Sequence, residues 1–197
     1  KVCWQCRSNR VSDYVGRSLC EASVSDWSVA LTLTYAPRDD GFERVLHPPH
    51  FQNFVRSLRD RHHKVRYVAA GEYGKRKGRS HFHCILFGKG KRLELPQEKR
   101  AWHDAWPHGH IWADYRLEDR AFRYVCKYIL KDIGEQSWFS PSKKPPLGAA
   151  FFASKADEAI SSGVFPRSCY YLPTNGQRTR PYMMTQTTRE QYILRCG

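Results

Sequence analysis

Ser80-His81-Phe82-His83-Cys84-Ile85-Leu86-Phe87 sets two histidines two residues apart and then runs straight into an apolar tract. In a strand, positions i and i+2 point to the same face. His81 and His83 therefore present two imidazoles side by side, while Phe82, Cys84 and Leu86 face whatever packs behind. Two imidazoles on one face are half a site for a divalent metal. Taken alone, the pair also reads as two surface histidines that bind nothing, so the flanking sequence has to decide.

Upstream, Val65 to Glu72 reads as a strand and Gly74-Lys75-Arg76-Lys77-Gly78-Arg79 as its turn, giving a hairpin with a basic tip. Glu72 then comes across the hairpin from the neighbourhood of His81. A carboxylate beside two imidazoles completes a three-ligand site with positions open for substrate. That donor mixture suits Mg²⁺ or Mn²⁺ bound through substrate oxygens, and zinc also fits. The competing reading of Glu72 is a surface acid paired with Lys75 or Arg79.

The alternation of Val29, Leu31, Leu33 and Tyr35 with Ala30, Thr32 and Thr34 predicts a strand over Trp27 to Tyr35. Pro37 to Gly41 breaks it. Pro48 and Pro49 open a helix whose stripe is Phe51, Phe54, Val55 and Leu58. Leu93 to Trp106 reads as mixed with helical character, and His108 to Trp112 as a short strand whose His108 and His110 are structural or solvent-facing. Leu117 to Ile133 predicts the clearest helix, stopped by Gly134. Tyr124 and Tyr128 fall one turn apart on one of its faces, each with a lysine three residues on, Lys127 and Lys131. A phenol is a weak nucleophile with its pKa near about 10. A polarising metal and a nearby ammonium are what it needs to attack phosphorus. The plainer reading makes both tyrosines core residues of an amphipathic helix. Beyond Gly134, Ser140 to Gly148 reads as a basic, Pro-rich loop, Ala149 to Ile160 as a helix, and Tyr170 to Arg180 as turn-rich and basic. The expected organisation is a core over 1–134 with a Cys-containing N-terminal helix, and an extension over 135–197 packed on the same domain.

Thirty-three Lys and Arg against 19 Asp and Glu leave a formal charge of +14, more than solubility needs, and point first to nucleic acid as partner. The 14% aromatic content could supply base-stacking surfaces. No apolar run approaches the roughly 20 residues of a membrane span, and no segment reads as a signal peptide. The absence of a Walker phosphate loop excludes an ATPase or helicase site, and no G-x-S-x-G is present. Seven scattered cysteines fit reduced thiols in a cytoplasm. Cys84 and Cys126, inside apolar runs, read as buried small hydrophobes. Cys3-x-x-Cys6 with Cys20 is a candidate structural Zn²⁺ set, one ligand short unless a fourth lies upstream of Lys1; free thiols are the alternative. Val11, Tyr14, Val15, Leu19 and Ala22 predict a helix between Cys6 and Ser23.

Three pieces together carry a resemblance: Leu31-Thr32-Leu33-Thr34-Tyr35, then Gly71-Glu72-Tyr73-Gly74 leading to His81-Phe82-His83, then Tyr124-Val125-Cys126-Lys127-Tyr128. They fall in the order of the three motifs of rolling-circle replication initiators, and the chain resembles an HUH endonuclease, nearest to the initiators of microviruses, the small single-stranded DNA bacteriophages. The resemblance covers about the first two thirds of the chain. It implies an α+β fold, an antiparallel sheet with flanking helices of the RRM-like or ferredoxin-like HUH type. It implies a metal held by Glu72, His81 and His83, attack by Tyr124 or Tyr128 on an origin phosphate, and a 5′-phosphotyrosyl link with a free 3′-OH. Lys127 and Lys131 would neutralise charge, and the second tyrosine would serve the closing transfer. The implied partner is single-stranded DNA at a viral or plasmid-like origin in a bacterial cytoplasm, with host helicase and polymerase as further candidates. Arg76, Lys77, Arg79, Lys143 and Lys144 are candidate phosphate contacts.

Other readings remain open. An HUH relaxase usually carries a third histidine in this motif, and an insertion-sequence transposase usually a single tyrosine. A non-catalytic single-stranded nucleic-acid module would make both histidines dispensable. A metal hydrolase using water would leave the tyrosine pair idle.

Overall fold

The computed structural model describes the chain apart from residues 1–2, 62, 75–77, 116, 118, 128–136, 166–167, 174–179 and 197. The elements run α1 (Trp4–Val24), β1 (Trp27–Tyr35), a 3-10 turn (Phe42–Arg44), α2 (Pro48–Asp60), β2 (Val65–Tyr73), β3 (Ser80–Gly88), α3 (Leu95–Ala105), β4 (Gly109–Asp114), α4 (Asp119–Cys126), β5 (Trp138–Pro141), α5 (Ala149–Ser162), β6 (Tyr170–Tyr171), β7 (Tyr182–Met183) and α6 (Gln186–Cys196). By its internal contacts the chain divides into two units, Ser25–Pro141 and Lys1–Val24 with Ser142–Gly197. This differs from the expected boundary at 134/135, because α1 groups with the C-terminal segment, packing on α5 and β7.

The first unit is an antiparallel sheet in the order β4-β1-β3-β2-β5. Period-two alternation decides its two faces. Val29, Leu31, Leu33 and Tyr35 of β1 and Phe82, Cys84 and Leu86 of β3 are all buried on one face. Against that face lie Phe51, Phe54, Val55 and Leu58 of α2, and Trp102, Ala105 and Trp106 at the end of α3. Each such side chain contributes roughly 1.5–3 kcal/mol on leaving water. Proline in the first turn of α2 costs no hydrogen bond there, since the first amides of a helix lack intrahelical acceptors. The opposite face meets α4, whose Phe122 ring lies nearly parallel to Phe87 with centroids 6.4 Å apart. The architecture is the α+β sheet with flanking helices that the sequence predicts, and it is consistent with an HUH endonuclease fold.

Two expectations change. Ser140 does not open a loop: Trp138–Pro141 forms the short edge strand β5, with Ser140 opposite Ala69. Of the helix expected over 117–133, the described part is Asp119–Cys126, followed by Lys127; residues 128–136 lie outside the described residues. In the second unit, Val15, Leu19 and Cys20 of α1 are buried, as are Phe151, Phe152, Tyr171 and Tyr182. Gly16 permits the close approach of α1, since a Cβ there would sit 2.8 Å from the Tyr182 ring. No helix among the described residues is long and apolar enough to cross a membrane.

Candidate active site

The β2–β3 hairpin sets Glu72 opposite His81, and the same register sets His83 opposite Ala70, diagonal to Glu72. On the pleat all three side chains share the face away from the α2 core. His81 Nε2 and His83 Nε2 each lie 3.0 Å from the same oxygen, Glu72 Oε1. The three side chains are 13–17% exposed, largely shielded yet still reached by solvent. They are the cluster among the described residues able to hold a metal ion.

The hydrogen bonds behind this trio fix its chemistry. His81 Nδ1 lies 3.3 Å from the Arg79 carbonyl oxygen. A carbonyl only accepts, so Nδ1 carries the proton and a neutral ring presents a bare Nε2 to Glu72. His83 Nδ1 has Thr32 Oγ1 at 3.1 Å, an acceptor for the same tautomer. Lone-pair atoms 3.0 Å apart repel one another unless a second ring proton or a cation lies between them. Their spacing suits the second option, because adjacent ligands of an octahedral ion at about 2.1 Å are about 3.0 Å apart. Burial pushes the His83 imidazole below its ordinary pKa, against the upward pull of the Glu72 carboxylate. A ligand must be neutral to bind, so this favours metal binding. The Glu72, His81 and His83 donors fit a divalent ion, and neither the Thr32 hydroxyl nor the Arg79 carbonyl was predicted from the sequence.

Helix α4 brings the fourth group. Phe122, Val125 and Cys126 are buried and anchor it, while Tyr124 is 40% exposed. The Tyr124 hydroxyl donates to Glu72 Oε1 at 3.2 Å and lies 3.3 Å from His83 Nε2. Its ring stands edge-on to His83 at 4.9 Å. Lys127 Nζ sits 3.6 Å from the centre of the Tyr124 ring, a cation–π contact. Tyr124, Lys127, Glu72, His81 and His83 are thus brought together.

The other candidates fare differently. Tyr128, Lys131, Arg76 and Lys77 lie outside the described residues. Arg79 contributes its backbone carbonyl to His81. Lys143 and Lys144 are exposed on a turn of the second unit. The zinc set of Cys3, Cys6 and Cys20 is not assembled. Cys3 and Cys6 sulfurs are 3.1 Å apart and exposed at the start of α1. Cys20 is fourteen residues further along the same helix than Cys6, about 21 Å at 1.5 Å per residue, and buried. Burial pushes its thiol pKa far up, which disfavours a thiolate ligand. His108 stacks on His50 at 3.9 Å, and His110 is exposed, in line with structural and solvent-facing roles.

A family model described as replication-associated protein ORF2 matches residues 28–133, more than half of the chain. The chain is 29% identical over 150 residues to the replication-associated protein ORF4 of Chlamydia phage 1, covering 66% of this chain and 37% of that protein. It is 24% identical over 189 residues to the replication-associated protein VP4 of Bdellovibrio phage phiMH2K, covering 83% of this chain and 60% of that protein. The chain thus spans less than two thirds of the length of either relative. No solved structure gives a significant match. The three sequence motifs and these relatives point the same way: the chain belongs to the ORF2 family of replication-associated proteins.

Proposed function

We propose that this chain is a phage replication initiator that nicks and rejoins single-stranded DNA at an origin, with Tyr124 as nucleophile beside a divalent ion, Mg²⁺ or Mn²⁺, held by Glu72, His81 and His83. The observation that carries the reading is the Tyr124 hydroxyl within 3.3 Å of both Glu72 Oε1 and His83 Nε2. A core tyrosine has no reason to turn its hydroxyl onto a cluster of metal-ligand type. Family membership and the phage relatives support the initiator role, and the charge of +14 supports a polyanionic substrate.

When bound, the ion supplies positive charge that polarises a phosphoryl oxygen and offsets the charge of the transition state. The rest falls to the chain's own residues. The Tyr124 O–H donates to Glu72 Oε1, so its proton has an acceptor in the site. Lys127 beside the ring favours the phenolate that remains. Tyr124 Oη forms a bond to phosphorus, the bond from phosphorus to the 3′ oxygen breaks, and that oxygen takes a proton to leave a free 3′-OH. The 5′ phosphate stays on the tyrosine. Tyr128, four residues on, would make the second attack after a round of synthesis, with Lys131 beside it, and the 3′-OH would close the released circle. Arg76, Lys77, Arg79, Lys143 and Lys144 would hold phosphates without reading bases. Host helicase and polymerase, in a bacterial cytoplasm, would extend the nicked strand.

The test is a covalent adduct that survives denaturation when the protein meets a single-stranded oligonucleotide of its origin with Mn²⁺ or Mg²⁺. Glu72→Gln and chelator should each remove it. Tight binding of that oligonucleotide with no adduct under any divalent metal would overturn the reading.

A further inference from the structure

Beside the triad, a cavity of about 400 Å³ opens between α4 and the β4 edge of the sheet. Register explains where it lies. Trp112 of β4 is opposite Thr32 of β1, and Thr32 is opposite His83 of β3. The three residues form one row across the sheet, on the face that carries the metal ligands. Trp112 and His83 are two strands apart, about 10 Å at the usual strand spacing. Ala30 and Thr32, both small, line the cavity floor, and Val125 and Tyr124 line its helix side.

Trp112 is 64% exposed on an edge strand. A lone exposed apolar residue needs no explanation, but this one walls a cavity that ends on His83 and Tyr124. The lining favours a flat apolar group over a phosphate. Asp114 sets a carboxylate against the charge of Arg120, and the remaining walls are chiefly hydrocarbon and aromatic. A purine or pyrimidine has the matching shape and an apolar face. In duplex DNA that face is covered by its neighbours, so only an unpaired base can offer it.

We infer that this cavity receives one unpaired base of the strand being cut, stacked on the Trp112 indole, in a nucleotide flanking the scissile phosphate. The inference rests on reading Tyr124 as the nucleophile. It makes Trp112 a binding residue that sets the register of the strand over the site.

The test compares wild type, Trp112→Ala and Trp112→Phe for affinity toward labelled oligothymidylate, oligodeoxyadenylate and oligodeoxycytidylate, and toward an abasic deoxyribose-phosphate chain of equal length. Removing a stacked aromatic should weaken binding of the base-bearing strands roughly tenfold, with Trp112→Phe retaining most of it. The abasic chain, which offers only phosphates, should bind both variants as it binds wild type. Unchanged affinity of Trp112→Ala for all base-bearing strands overturns the inference, as does an equal loss on the abasic chain, which would assign Trp112 to the fold. Adduct formation on origin DNA is read separately in the same proteins. An adduct without any Trp112 effect rejects the base cavity alone. A Trp112 effect without an adduct rejects the nucleophile alone.

Discussion

The two faces of β3 differ at every second residue. Phe82, Cys84 and Leu86 are fully buried against α2 and the end of α3. His81 and His83, one residue away in each case, are half-buried, polar, and held by Arg79, Thr32 and Glu72. One face contributes stability through hydrocarbon leaving water. The other concentrates imidazoles, a carboxylate and a phenol, groups that add little to stability. The rigid back face holds the front-face groups in place, so the strand supplies both halves of what a site needs.

Substitutions on each face should separate these roles. His83→Ala removes a ligand and should lower metal-dependent adduct formation by more than about 100-fold, measured on a denaturing gel. Its loss of stability should be smaller than that of the next change. Phe82→Ala should cost about 3–5 kcal/mol in urea unfolding, while the molecules that remain folded keep their adduct rate. If Phe82→Ala abolished chemistry without lowering stability, the division between the faces would fail. Thr32→Val keeps the shape but removes the Nδ1 partner of His83, and should lower metal affinity about 10- to 100-fold by titration. The smallest effect expected is that of Lys127→Ala, under about tenfold in adduct rate at saturating metal, since its exposed ammonium acts alongside the ion.

Much of the first unit was legible in the sequence. Period-two alternation marked β1 and β3, the Gly-flanked basic turn marked the hairpin, and the hairpin set Glu72 beside His81. Thr32 was not legible, because its role depends on β1 pairing with β3 across fifty-one residues, and periodicity within one strand says nothing of its neighbour. Trp112 was hidden for the same reason. Strand β5 was missed because four residues ending in Pro141 carry too little alternation to stand out from the loop after them. The cysteine set could have been rejected earlier. A helix between Cys6 and Ser23 already keeps Cys6 and Cys20 far apart, whatever their count suggests. Helix α6 has a weakly amphipathic, polar sequence, and only its packing on α5 accounts for it.

The most direct test of the central claim is to incubate wild type, Tyr124→Phe, Tyr128→Phe and the double variant with an origin oligonucleotide and Mn²⁺, and then to map the covalently modified residue by mass spectrometry. The account predicts a phosphotyrosyl peptide at Tyr124, absent when chelator is added and absent in Tyr124→Phe for the first cut. An undiminished adduct in Tyr124→Phe, or a metal-independent one, would contradict it.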